Sequence, residues 1–160
     1  MDDFGMRPRQ HVIAVTSDLG DFKEEVRRIF ADFGQQFGAE SLAGECTPTL
    51  DVYETDDTVE VTVDLPGVDV AAVRVLGKGD SILVAGHKPP RRVRGESSFH
   101  LVERGYGRFA RAVRIAHPCD ISRASATMVD GELRISLPKL KDRRGTTIAI
   151  AVTKRGVADG

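Results

Sequence analysis

Tryptophan is absent from this 160-residue chain, tyrosine occurs twice, and aromatic side chains make up 6% of the residues. A core built from this sequence is therefore aliphatic, made mostly of Val, Ile, Leu and Ala. Cysteine is almost absent too, with only Cys46 and Cys119. Two thiols form no disulfide framework, and their separation matches no zinc motif. No stretch approaches the roughly 18 apolar residues of a membrane-spanning helix. The start, Met1-Asp2-Asp3, carries no apolar run of signal-peptide length, so a cytoplasmic protein is expected. The net charge is −1, which offers nothing overall to attract nucleic acid.

Catalytic and cofactor motifs are missing as well. Gly77-Lys78-Gly79 follows a β-like run, but the third glycine of a dinucleotide fingerprint would fall on Ile82. No Walker-type motif occurs. His11, His87, His100 and His117 are scattered, and no two have the spacing of a helical metal site. Ser97 and Ser98 lie near His100 without a nucleophile elbow or an orienting acid. The expectation is no enzyme, no metal and no cofactor. Lys88, Arg91, Arg92 and Arg94 form a short basic run, but no aromatics interleave to stack bases. A solvated loop is the simpler reading.

What is present falls into three parts, at 1–47, 48–140 and 141–160. The first is net acidic, the second balanced and the third net basic. In the first, Phe22, Val26, Ile29, Phe30, Phe33 and Phe37 follow a helical period and share one face. Asp18 or Asp21 is placed to cap that helix. Five of the seven phenylalanines lie at or before Phe37. Such a face can pack on a core, enter a membrane interface or stay open for protein contacts. The opposite face mixes Lys23, Arg27 and Arg28 with Glu24 and Asp32, which weighs against lipid.

From about Leu50 the period changes to two. Val59, Val61 and Val63 alternate with polar residues until Leu65-Pro66-Gly67 ends the run. Further strands are expected at 73–76, 81–86, 99–103, 108–115, 124–129 and 132–137. Asp130-Gly131 between the last two signals a hairpin. Many short strands without interleaved helices indicate an all-β sandwich.

In the last part a polar stretch precedes Ile148-Ala149-Ile150-Ala151-Val152. Ile148 and Ile150 project the same way from an extended chain. They suit a peptide that adds to an open sheet edge, or else a last strand of the same sandwich.

Together these segments resemble the small heat-shock protein, or α-crystallin, family over residues 48 to about 152. Pro48-Thr49-Leu50-Asp51-Val52-Tyr53-Glu54 is similar to its opening strand. Leu65-Pro66-Gly67-Val68, Glu103-Arg104-Gly105-Tyr106-Gly107-Arg108-Phe109-Ala110-Arg111 and Asp130-Gly131-Glu132-Leu133 through Pro138-Lys139 follow in the family's order. Ile148-Ala149-Ile150 matches its carboxy-terminal I-x-I motif.

The resemblance implies an immunoglobulin-like β-sandwich with a helical N-terminal arm and a flexible C-terminal tail. It also implies homodimers that assemble into larger homo-oligomers and hold partly unfolded client proteins without ATP. A loop of about 88–104 would carry an exchanged strand to the partner, with Phe99, Leu101, Glu103, Arg104 and Arg111 at the dimer interface. Ile148 and Ile150, or Ile150 and Val152 in a shifted register, would dock between two strands at Val73, Val75, Ala126 and Met128. The helix face from Phe22 to Phe37 is the expected client surface, with packing on the sandwich as its competitor. Glu132 stands where the family has an apolar residue, so it is expected to be exposed or paired with a cation. An alternative is a sandwich adaptor, a co-chaperone module that binds one folded partner.

Overall fold

The computed structural model describes residues 14–17 as backbone, and 19–141, 147 and 149–154. Its elements are β1 (Ala14–Ser17), α1 (Lys23–Phe37), β2 (Leu50–Glu54), β3 (Thr58–Asp64) and β4 (Val73–Lys78). They continue with β5 (Ser81–Lys88), β6 (Gly107–Ile115), β7 (Ser125–Val129) and β8 (Glu132–Pro138). Two four-stranded antiparallel sheets result, in the orders β1-β6-β5-β4 and β2-β3-β8-β7. The chain is thus a β-sandwich with one N-terminal helix.

The inner faces follow from period-two patterning. Val59, Val61 and Val63 of β3 and Leu133, Ile135 and Leu137 of β8 are buried. They meet Ile82 and Val84 of β5 and Phe109, Val113 and Ile115 of β6 in one cluster. Each buried aliphatic side chain here contributes about 1.5–3 kcal/mol relative to exposure.

β7 turns into β8 through Asp130 and Gly131, whose φ values of 51° and 80° are both left-handed. Two positive φ angles are what a two-residue hairpin of the favoured twist needs, and Asp-Gly supplies them at low cost. Glu132 pairs with Arg134 at 3.0 Å, which is how a carboxylate is accommodated at the first residue of β8.

Three sequence expectations differ from the structure. The expected aspartate cap on α1 is not made by Asp21. Asp18 lies outside the described residues, and Asp21 sits in a short 3-10 turn, Gly20–Phe22, leaving Phe22 at the N-cap with no side-chain cap. Burying Phe22 fixes the entry of the helix instead. No strand forms over 99–103: the central strands are paired on both sides, and this stretch pairs with none of the open edges of β2, β4 or β7. The third difference is β1, a strand not anticipated, which extends the first sheet by pairing Ala14 with Ile115 through Ser17 with Ala112.

Gly107 locks the arm to the sandwich. Its φ is +106°, and a Cβ there would lie 2.2 Å from the Gly44 carbonyl carbon. That close approach lets Arg108 N donate to Gly44 O at 3.0 Å and Cys46 N donate to Arg108 O at 2.9 Å. Gly107→Ala is therefore expected to cost at least about 1–3 kcal/mol from backbone strain alone. Urea unfolding should show a lower midpoint, whereas Gly95→Ala, with open space around its Cβ, should cost less.

Candidate assembly and capture surfaces

The first surface is the outer face of the β1-β6-β5-β4 sheet. β5 buries both of its faces: Ile82 and Val84 point into the sandwich, while Leu83, Ala85 and His87 point out. Helix α1 covers the outer side. Phe22, Ile29 and Phe33 are buried against Leu83, Ala85 and Ala112, with Val26, Phe30, Leu42 and Leu76 at the margin. Phe37 is at the exposed end of the stripe.

Basic side chains on the sheet clamp the helix. Arg74 lies 4.8 Å from the Phe33 ring centroid, Lys78 5.3 Å from that of Phe22 and Arg108 5.7 Å from that of Phe30. Such contacts contribute about 0.5–1 kcal/mol each at exposed sites. Lys78 Nζ also donates to the Asp21 carbonyl at 2.7 Å and to the Glu25 carboxylate. That ammonium holds the Glu25 carboxyl below its ordinary pKa. The stripe read from the sequence is thus brought together on the sheet. Its partners on β5 and β6, and the three cations, were not anticipated. The unbroken apolar run Ile82-Leu83-Val84-Ala85 was the available signal, since a strand buried on both faces loses its alternation.

The second surface lies between β4 and β7, each at an open edge of its sheet. Val73 and Val75 pair with Gly86 and Val84, so they face inward, and both are only partly buried. Ala126 and Met128 pair with Ile135 and Leu133 and also face inward. Met128 is partly buried, yet Ala126 is exposed, so the inner face is left uncovered at this edge. A Cβ on Gly77 would come 2.4 Å from Cγ2 of Ile121, so the far end of β4 approaches the turn that precedes β7. The four groove residues named from the sequence therefore share one side of the sandwich. Of the tail, Ile150 is 87% exposed and Val152 97% exposed. Ile148 lies outside the described residues.

The third surface is the stretch from Pro89 to Tyr106 and the edge of the second sheet. Phe99, Leu101 and Val102 are exposed, Leu101 by 73%, and Glu103 and Arg104 are exposed with them. β2 has β3 on one side and no strand on the other. Arg111 faces inward from β6, is partly buried, and donates to the Pro48 carbonyl just before β2. Within this chain Arg111 thus holds the lead-in to that free edge.

Reactive chemistry is sparse. Burial pushes the Cys46 and Cys119 thiols up, which keeps them protonated and poorly nucleophilic. Among the described residues, no three His, Cys, Asp or Glu side chains gather to hold a metal ion. No helix there is long and apolar enough to cross a membrane.

The Hsp20/alpha crystallin family model matches residues 51–153. Heat shock protein 16 of Schizosaccharomyces pombe is 32% identical over 124 residues, which cover 75% of this chain and 87% of that protein. The 16.9 kDa class I heat shock protein 3 of Oryza sativa subsp. japonica is 24% identical over 140 residues, covering 87% and 94%. Among solved structures, heat shock protein 16.0 from Schizosaccharomyces pombe superposes with a TM-score of 0.58 at 30% identity, covering 72% of this chain and all of that one. The match spans the sandwich from β2 through β8 into the tail, and on it the chain belongs to the Hsp20/alpha crystallin family of small heat-shock proteins, which are chaperones and not enzymes.

Proposed function

We propose that this chain is an ATP-independent holdase that binds partly unfolded proteins and prevents their aggregation under heat or other stress. The observation that carries the reading is apolar surface set beside open sheet edges. The exposed apolar side chains Phe99, Leu101 and Val102 lie in a stretch that joins no sheet, while β2, β4 and β7 leave edges free. Edges like these pair readily with other chains.

In this reading the chain works in three parts. The arm, 1–47, presents Phe22, Val26, Ile29, Phe30, Phe33 and Phe37 to clients when α1 leaves the sheet. The sandwich, 48–140, dimerises by passing Phe99, Leu101, Glu103 and Arg104 to the partner's β2 edge, which Arg111 steadies through Pro48. The extension, 141–160, places Ile148 and Ile150, or Ile150 and Val152, in the slot of a neighbouring dimer at Val73, Val75, Ala126 and Met128. Homodimers then build larger homo-oligomers. Burial at about 25 cal/mol per Å2 drives capture without fuel. Covering the same surfaces at rest keeps the protein itself soluble.

The test is direct. A heat-labile protein warmed with this chain, in the absence of ATP, should scatter several-fold less light than it does alone. Equal scattering with and without the chain would reject the holdase role.

A further inference from the structure

Among the described residues, His87 is the one buried polar side chain in the core, 3% exposed. Neither ring nitrogen has a hydrogen-bond partner. The ring is enclosed by aromatics from the last turns of α1. Phe33 meets it edge-on at 5.3 Å between centroids, and Phe37 lies 4.7 Å away. A neutral imidazole tolerates such a site at modest cost, but a charged one with no acceptor does not.

No neighbouring acceptor relieves that cost. Arg108 on β6 is the register partner of His87 and lies on the same face. Arg74 on β4 sits over Phe33 on that face as well. Lys88 follows His87 on β5 but points to the opposite side. The carboxylates nearby are engaged or exposed. Glu45 lies 3.6 Å from Arg108, and Asp69, before the turn into β4, accepts from Ala71 N. Asp32 on α1 and Glu40 in the turn after it are exposed. No carboxylate bonds the ring.

We infer that His87 makes the docking of α1 acid-sensitive, so that acidification shifts the chain toward a form with the helix lifted and both apolar faces uncovered. The proton enters only when Phe33 and Phe37 move off, and the charged ring then opposes their return. Burial also lowers the pKa of the docked imidazole from its ordinary value. The sign follows from linkage. The lifted form holds His87 in water, with an ordinary pKa of about 6.5. Docking is at full strength above that value. It weakens by up to about tenfold per pH unit below it, until the lower docked pKa is reached. That the uncovered faces hold client chains rests on the proposed holdase role, but the release itself does not.

Hydrogen exchange on the full-length protein tests the release alone. Measured at pH 7.5 and 5.5 and corrected for intrinsic rates, protection of the α1 amides should fall up to about tenfold, while β3 and β8 hold theirs. His87→Phe and His87→Leu remove the titrating group and should keep α1 protection constant over that range. Constant protection in the unaltered protein, or an equal fall in a folded His87 variant, would overturn the proposal. An NMR titration of the His87 ring in the unaltered protein gives an independent reading. A midpoint at or above about 6.5 in the docked form would equally overturn it.

Discussion

Replacing Ile148 and Ile150 together with alanine should convert the assembled particle into dimers. In the proposed dock, each isoleucine buried beside Val73, Val75, Ala126 and Met128 would contribute about 1.5–3 kcal/mol. Losing both weakens one dock by roughly a hundredfold or more, since each 1.4 kcal/mol is a factor of ten. The effect is multiplied in a particle held by many tails, because effective concentration rewards every additional dock and punishes every loss. The segment proposed to exchange, Phe99 to Arg104, is untouched, so the proposed dimer should survive. Size-exclusion chromatography with light scattering should show a mass near twice that of the chain. A large particle of unchanged mass would remove the tail from the assembly scheme. Single substitutions then read the register. If the tail docks through Ile150 and Val152, Val152→Ala should shrink the particle and Ile148→Ala alone should not.

The strands of the sandwich were legible because their patterning is local. Alternation at Val59 to Val63, the Pro66-Gly67 stop and the Asp130-Gly131 turn each act within a few residues. What escaped depends on partners distant in sequence. The run Val12-Ile13-Ala14-Val15-Thr16 is rich in β-branched residues, yet β1 exists only because β6, about a hundred residues on, offers an edge. Conversely, 99–103 has strand composition but pairs with none of the free edges of its own domain, so pattern alone overstates it. The stripe on α1 was plain, but a stripe does not say what covers it. Leu83 and Ala85, which face it, were readable only as half of an unbroken apolar run in β5. His87 gave no signal in sequence, because its environment is made by Phe33 and Phe37 from another element.

Phe33→Ala is expected to free α1 while leaving the sandwich folded. Phe33 is fully buried, and truncating a buried phenylalanine costs about 3–5 kcal/mol. That loss falls in the outer cluster of Phe22, Ile29, Phe33, Leu83, Ala85 and Ala112, separated from the inner cluster by the β4-β5-β6 backbone. Amide protection in α1 should drop by a hundredfold or so or more, and binding of an apolar dye should rise as Leu83 and Ala85 are uncovered. Protection in β3 and β8 should barely change. Leu137→Ala gives the contrast. It removes about 2–5 kcal/mol from the inner cluster and should lower the melting temperature of the whole sandwich. The comparison decides whether capture can be switched. Two separable layers allow the helix to lift at a small fraction of the global unfolding cost, which a reversible holdase needs. Equal loss of protection in α1, β3 and β8 on Phe33→Ala would mean one cooperative unit. The face from Phe22 to Phe37 would then be structural core, and clients would have to bind at the sheet edges instead.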